Sequence, residues 1–122
     1  MANVINWFEI PAQNFERAMK FYGELFGEEL QLMEMEGIKM GIFPNQNEGV
    51  GGAICAGEWY QPSENGAVVY LNGGEDLAVP LKRAVDAGGS VLVPKTLITE
   101  EIGYFAMFRD CEGNRVAFHS PN

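Results

Sequence analysis

The chain has 122 residues, 47% of them hydrophobic, and a net charge of −9 from 17 carboxylates against 8 basic residues. That is the length of one domain with enough apolar content for a core, which excludes intrinsic disorder. The acidic balance excludes nucleic acid and anionic membrane surfaces, which are held through basic footprints. Neutral and cationic small molecules stay open as partners.

Met1-Ala2-Asn3-Val4 shows neither a basic opening nor a long apolar run, so no secretory signal is expected. No stretch of apolar residues is long enough to span a membrane. Cys55 and Cys111 are expected to stay reduced, in a cytoplasmic protein.

In chain order, residues 7–10 read as a short strand ended by Pro11. Asn14 is an N-cap candidate, its side-chain oxygen free to accept from the first helical turn. Phe15, Ala18, Met19, Tyr22, Leu25 and Phe26 then recur at helical spacing, and Gly27 ends the helix. Strands are expected over about 29–36, 38–43 and 51–55, with Gly37 turning between the first two.

The order then repeats. Residues 67–71 read as a strand, and Asp76 as the next cap. Leu77, Leu81, Ala84 and Val85 form a helical stripe ended by Gly88-Gly89. Pro80 predicts a helix start a residue or two after Asp76, because proline is tolerated only in the first turn. Strands fit 91–97, 104–109 and 115–120. A shift of 62 lays Phe15 on Leu77, Met19 on Leu81 and Gly27 on Gly89. A shift of 64 lays Glu48-Gly49 on Glu112-Gly113 and Ala53-Ile54-Cys55 on Ala117-Phe118-His119. The chain therefore reads as a duplication: one α+β domain over 1–122, made of two βαβββ modules at about 4–58 and 66–121.

Strand alternation sorts the side chains by face. Phe8, Ile10, Ile54, Val116 and Phe118 suit the helix side. Trp7, Glu9, Ala53, Cys55, Arg115, Ala117 and His119 then fall opposite. On the fifth strand, Val68 and Tyr70 are assigned to the helix side and Ala67, Val69 and Leu71 opposite. Tyr104 and Arg109 fall on opposite faces of the seventh strand, in an order alternation leaves open. The helix-free faces, set side by side, would form an apolar cleft with few polar groups, as small-molecule sites have.

The opening Trp7-Phe8-Glu9-Ile10-Pro11-Ala12, with Asn14-Phe15-Glu16-Arg17-Ala18 and Leu25-Phe26-Gly27, resembles the start of vicinal oxygen chelate proteins. That superfamily includes glyoxalase I, bleomycin resistance proteins and extradiol dioxygenases. The close, Asp110-Cys111-Glu112-Gly113-Asn114 into Arg115-Val116, resembles its last hairpin, with Cys111 where proline is usual. The resemblance is to the small glyoxalase-like branch related to lactoylglutathione lyase. It implies an open eight-stranded cleft from paired modules, and a homodimer. In glyoxalase I four His, Gln or Glu ligands hold a metal from the first, fourth, fifth and eighth strands. Matching the motifs puts those positions on Trp7, Ala53, Ala67 and Ala117, none of which offers a lone pair to a cation. The resemblance thus implies the fold without the metal, and no cofactor is expected.

Candidate chemistry rests on few residues. Glu9 could move protons as a general base, or could be a carboxylate neutralised by Arg115 or hydrogen-bonded to backbone or water. His119 is the sole histidine, an acid–base candidate or a rim residue. Cys55, its counterpart in the repeat, could make a nucleophile–base pair with it or fill space as a small buried thiol. Trp7, Cys55, Val69, Tyr104 and Arg115 are the ligand-binding candidates. Trp59 and Tyr60, in the connector before Pro62, could lid the cleft or enter a dimer contact. Residues 110–114 are a glycine turn too short for a calcium loop, and Gly49-Val50-Gly51-Gly52 opens no helix that would bind phosphate. The leading reading is a small organic ligand bound without metal, with isomerase- or lyase-type proton transfer by Glu9. The alternative is non-catalytic sequestration, as in bleomycin resistance proteins. Metal-dependent lactoylglutathione lyase activity is disfavoured by the lost ligands.

Overall fold

Asn14 begins the first helix as its side chain suggests: it takes an extended conformation, and its oxygen accepts the Arg17 N–H at 3.1 Å. Gly27 ends that helix at φ 72, a left-handed conformation glycine adopts without a Cβ penalty. The computed structural model describes residues 3–45 and 49–122. Met1-Ala2 and Glu48, used in the readings above, lie outside them. The described residues form two compact units, 1–62 and 63–122.

The first unit runs β1 (Trp7–Pro11), α1 (Phe15–Phe26), β2 (Gln31–Met35), β3 (Ile38–Ile42) and β4 (Gly51–Ala56). Its four strands lie in the order β1-β4-β3-β2, with β1 and β4 parallel. Met35 pairs with Ile38, so Glu36 and Gly37 form a two-residue hairpin turn, both at positive φ. The α1 side is the core face. There Phe8, Tyr22 and Phe26 all pack on Phe43, with ring centroids 5.2–5.6 Å away. Gly52 is fixed by this packing, because a Cβ there would strike the Phe8 ring.

The second unit repeats the plan with β5 (Val69–Asn72), α2 (Ala78–Asp86), β6 (Ser90–Thr99), β7 (Gly103–Arg109) and β8 (Arg115–Ser120). Its order, β5-β8-β7-β6, reproduces the first. Two four-stranded sheets, each with one helix, make the expected α+β fold of paired βαβββ modules. Pro80 is the third residue of α2, inside the first turn. Asp76 accepts the Ala78 N–H at 2.9 Å, while the cap position itself is Leu77. Pro94 sits in β6, an edge strand with register shifts on both sides of Val93, where a missing N–H is tolerated.

One face assignment is corrected, and one left open by alternation is settled. β5 begins at Val69, two residues later than expected, and its phase is inverted. Val69 pairs with Val116 and Leu71 with Phe118, on the helix side. Tyr70 and Asn72 take the other face with Ala117 and His119, and Tyr70 is 51% exposed. Val69 therefore leaves the set of ligand-binding candidates. Tyr104 leaves it too. It pairs with Ser120, whose hydroxyl accepts from the N–H of Leu77 beside α2. Lys95, bonded to Asp76, stands 4.6 Å over the Tyr104 ring. Arg109 takes the helix-free face, opposite Arg115.

Candidate functional site

On the helix-free face of the first sheet, β1 carries Trp7 and Glu9 and β4 carries Ala53 and Cys55. Pairing of Glu9 with Ala53 sets the carboxylate over the middle of β4. Cys55 is fully buried with Met40 and Ala53, and Ile38, Ile42 and Tyr60 pack against that cluster. The Tyr60 hydroxyl donates to Glu9 Oε1 at 2.7 Å, and Trp7 Nε1–H donates to Glu9 Oε2 at 3.2 Å. Two donors thus fix the plane of an exposed carboxylate and leave lone pairs for a ligand.

The thiol beneath is buried and held in its protonated form. Burial first, and then the negative charge and hydrogen bond of Glu9, push Cys55 up to about 12. Tyr60 is also pushed above its ordinary range, chiefly by its bond to Glu9, so its proton stays in place as the donor. The neutral hydroxyl and neutral thiol leave Glu9 to set the character of this face.

Tyr60 is the residue that alternation did not place, since a connector has no strand period. Its only signal was an aromatic pair before Pro62. The pair is divided: Tyr60 packs down on the sheet, and Trp59 is 82% exposed.

His119 and Arg115 belong to the second unit. His119 lies beside Asn72 in register, with Tyr70 and Leu71 around a shallow depression. Its Nε2–H donates to the Ile102 carbonyl at 2.6 Å, which leaves Nδ1 for proton exchange. Arg115 Nη2 donates to the Gly66 carbonyl at 3.1 Å, while its Nε is buried with no hydrogen-bond partner among the described residues. Its neighbour Arg109 is paired with Glu64. The turn 110–114 is a structural clamp. Asp110 accepts from the N–H groups of Glu112 and Asn114 at 2.9 Å each and from Asn114 Nδ2 at 3.0 Å.

The family's metal does not fit these residues. Trp7, Ala53 and Ala117 have no ligating atom to turn toward a cation, and Ala67 lies before β5 begins. Among the described residues, no group of three or more His, Cys, Asp and Glu side chains is gathered. No helix among them is long and apolar enough to cross a membrane.

The geometry agrees with what the chain resembles among known proteins. A family model described as the Glyoxalase/Bleomycin resistance protein/Dioxygenase superfamily matches residues 4–118. A glyoxylase-like domain-containing protein of Didymella fabae is 30% identical over 120 residues, covering 90% of this chain and 88% of that one. The solved structure of TnmS3, an antibiotic binding protein from Streptomyces sp. CB03234, has a TM-score of 0.63 at 22% identity, covering 100% of this chain and 99% of that one. A glyoxalase/bleomycin resistance protein/dioxygenase family enzyme from Burkholderia phytofirmans PsJN has a TM-score of 0.69 at 14% identity, covering 96% and 98%. At these identities the two solved structures speak for the fold. With the family model spanning nearly the whole chain, this protein belongs to the glyoxalase/bleomycin resistance protein/dioxygenase superfamily.

Proposed function

We propose that this protein binds a small, partly apolar organic molecule on the helix-free face of its first sheet, without a metal, with Glu9 as the polar anchor. One observation carries the reading: an exposed carboxylate held by Tyr60 and Trp7 above the apolar floor of Met40, Ala53 and Cys55. Small-molecule sites pair such a floor with a few oriented polar groups. The antibiotic binding protein of the same fold supports the same reading.

Proton transfer of the isomerase or lyase kind is the second reading. It is favoured by the accessible lone pairs that Glu9 keeps. The working assembly is proposed to be a homodimer, as the family resemblance implies.

A thermal-shift screen of small organic compounds, run on the wild type and on Glu9→Gln, tests the reading. A compound that stabilises the wild type is expected to lose that effect in the variant. Loss of turnover with binding retained would establish the second reading. Stabilisation identical in the two proteins would remove Glu9 from the site.

A further inference from the structure

Among the described residues of β1–β4, the helix-free face carries one charge, the negative one of Glu9. Strand register places Met33, Met35 and Met40 on the same side as the Ile38–Cys55 floor, in line with Glu9 and Trp7. Lys39 is the sole basic residue on β1–β4, and it lies on the other face, paired with Glu16 of α1. Glu9 therefore has hydrogen-bond donors beside it and no cation on its own face.

We propose that the ligand of this face is a lipophilic monocation: an apolar body carrying one ammonium or delocalised cationic group. This deepens the function proposed above and rests on it. An uncharged apolar ligand covering Glu9 would strip water from the carboxylate and return nothing for it. A cation returns a charge-assisted contact, and the rings of Trp7 and Tyr60 beside Glu9 add their negative faces. Met33 and Met35 are 48% and 54% exposed, flexible side chains that can settle around an apolar body of varied shape. The chain's net charge of −9 draws cations toward it and repels anions.

Three dyes, rhodamine 6G (cationic), Nile red (neutral) and anilinonaphthalene sulfonate (anionic), test the charge preference by fluorescence anisotropy with the full chain. Rhodamine 6G is expected to bind about tenfold more tightly than Nile red, and the anionic dye more weakly than either. Glu9→Gln should abolish that preference, weakening rhodamine 6G about tenfold. Glu34→Gln, which removes a charge from the other face, should change nothing. Met33→Ala should weaken every dye that binds. If Nile red matches rhodamine 6G and Met33→Ala weakens both, cation selection is overturned while the binding face stands. If neither Glu9→Gln nor Met33→Ala alters any dye, the binding face falls as well.

Discussion

Tyr60 and Glu9, 51 residues apart in the chain, are joined by a 2.7 Å hydrogen bond from the tyrosine hydroxyl to one carboxylate oxygen. The bond ties the connector to β1 and points the carboxylate across the sheet, so it serves structure and site together. Tyr60→Phe keeps the ring on its apolar cluster and removes only the donor. It is expected to cost about 1 kcal/mol of unfolding free energy. A double-mutant cycle with Glu9→Ala, which removes the acceptor, in urea should return a coupling of the same order, and a coupling near zero would contradict the geometry.

The buried thiol gives a pH signature. Cys55 titrates near 9.0 when unfolded and near 12 when folded, so between those values the unfolded chain holds fewer protons than the folded one. Stability therefore is complete below pH 9 and falls as pH rises toward 12, by at most about 1.4 kcal/mol per pH unit from this group. Denaturation across that range should show the fall, and Cys55→Ala should remove the part that begins at pH 9, leaving the part from the raised Tyr60 that begins near pH 10. Alkylation of Cys55 by iodoacetamide at pH 8 should be slow in the folded chain and fast in denaturant.

Asp110 is 4% exposed and holds the turn into β8 with three hydrogen bonds. Asp110→Ala leaves their donors without that acceptor, for a cost of roughly 2–3 kcal/mol. That corresponds to a fall in Tm on the order of 10 °C by calorimetry. A dye bound on the first unit should keep its affinity, which separates this clamp from the site.

Much of the fold was legible because local physics and packing agree at the marked positions. Asn14, Gly27 and the turn at Gly37 each have a single favourable role, and each fills it. β8 matches its expected bounds of 115–120, since the large apolar Val116 and Phe118 alternate with Arg115, Ala117 and His119. β5 misled because it is four residues long and Tyr70 is amphipathic. Its ring counts as apolar in a pattern, yet the strand turns it outward. Tyr104 was ambiguous for the same reason, and only its register with Ser120 decides its face. In the site, Trp7, Glu9 and Cys55 were assigned to one face by alternation, and register places them there. Tyr60 reaches them by a connector path that no periodicity encodes.

The metal content of the purified protein tests the central claim most directly, measured by plasma mass spectrometry beside a thermal-shift titration with nickel, zinc, manganese and iron. In the first unit Glu9 stands beside Trp7 and Ala53, neither of which ligates a cation, and the second unit carries alanine at 117, so no stoichiometric metal and no stabilisation by any of the four ions is predicted. Metal near one per chain, or a shift of several degrees, would contradict it and make Glu9, Cys55 and His119 the ligands to test.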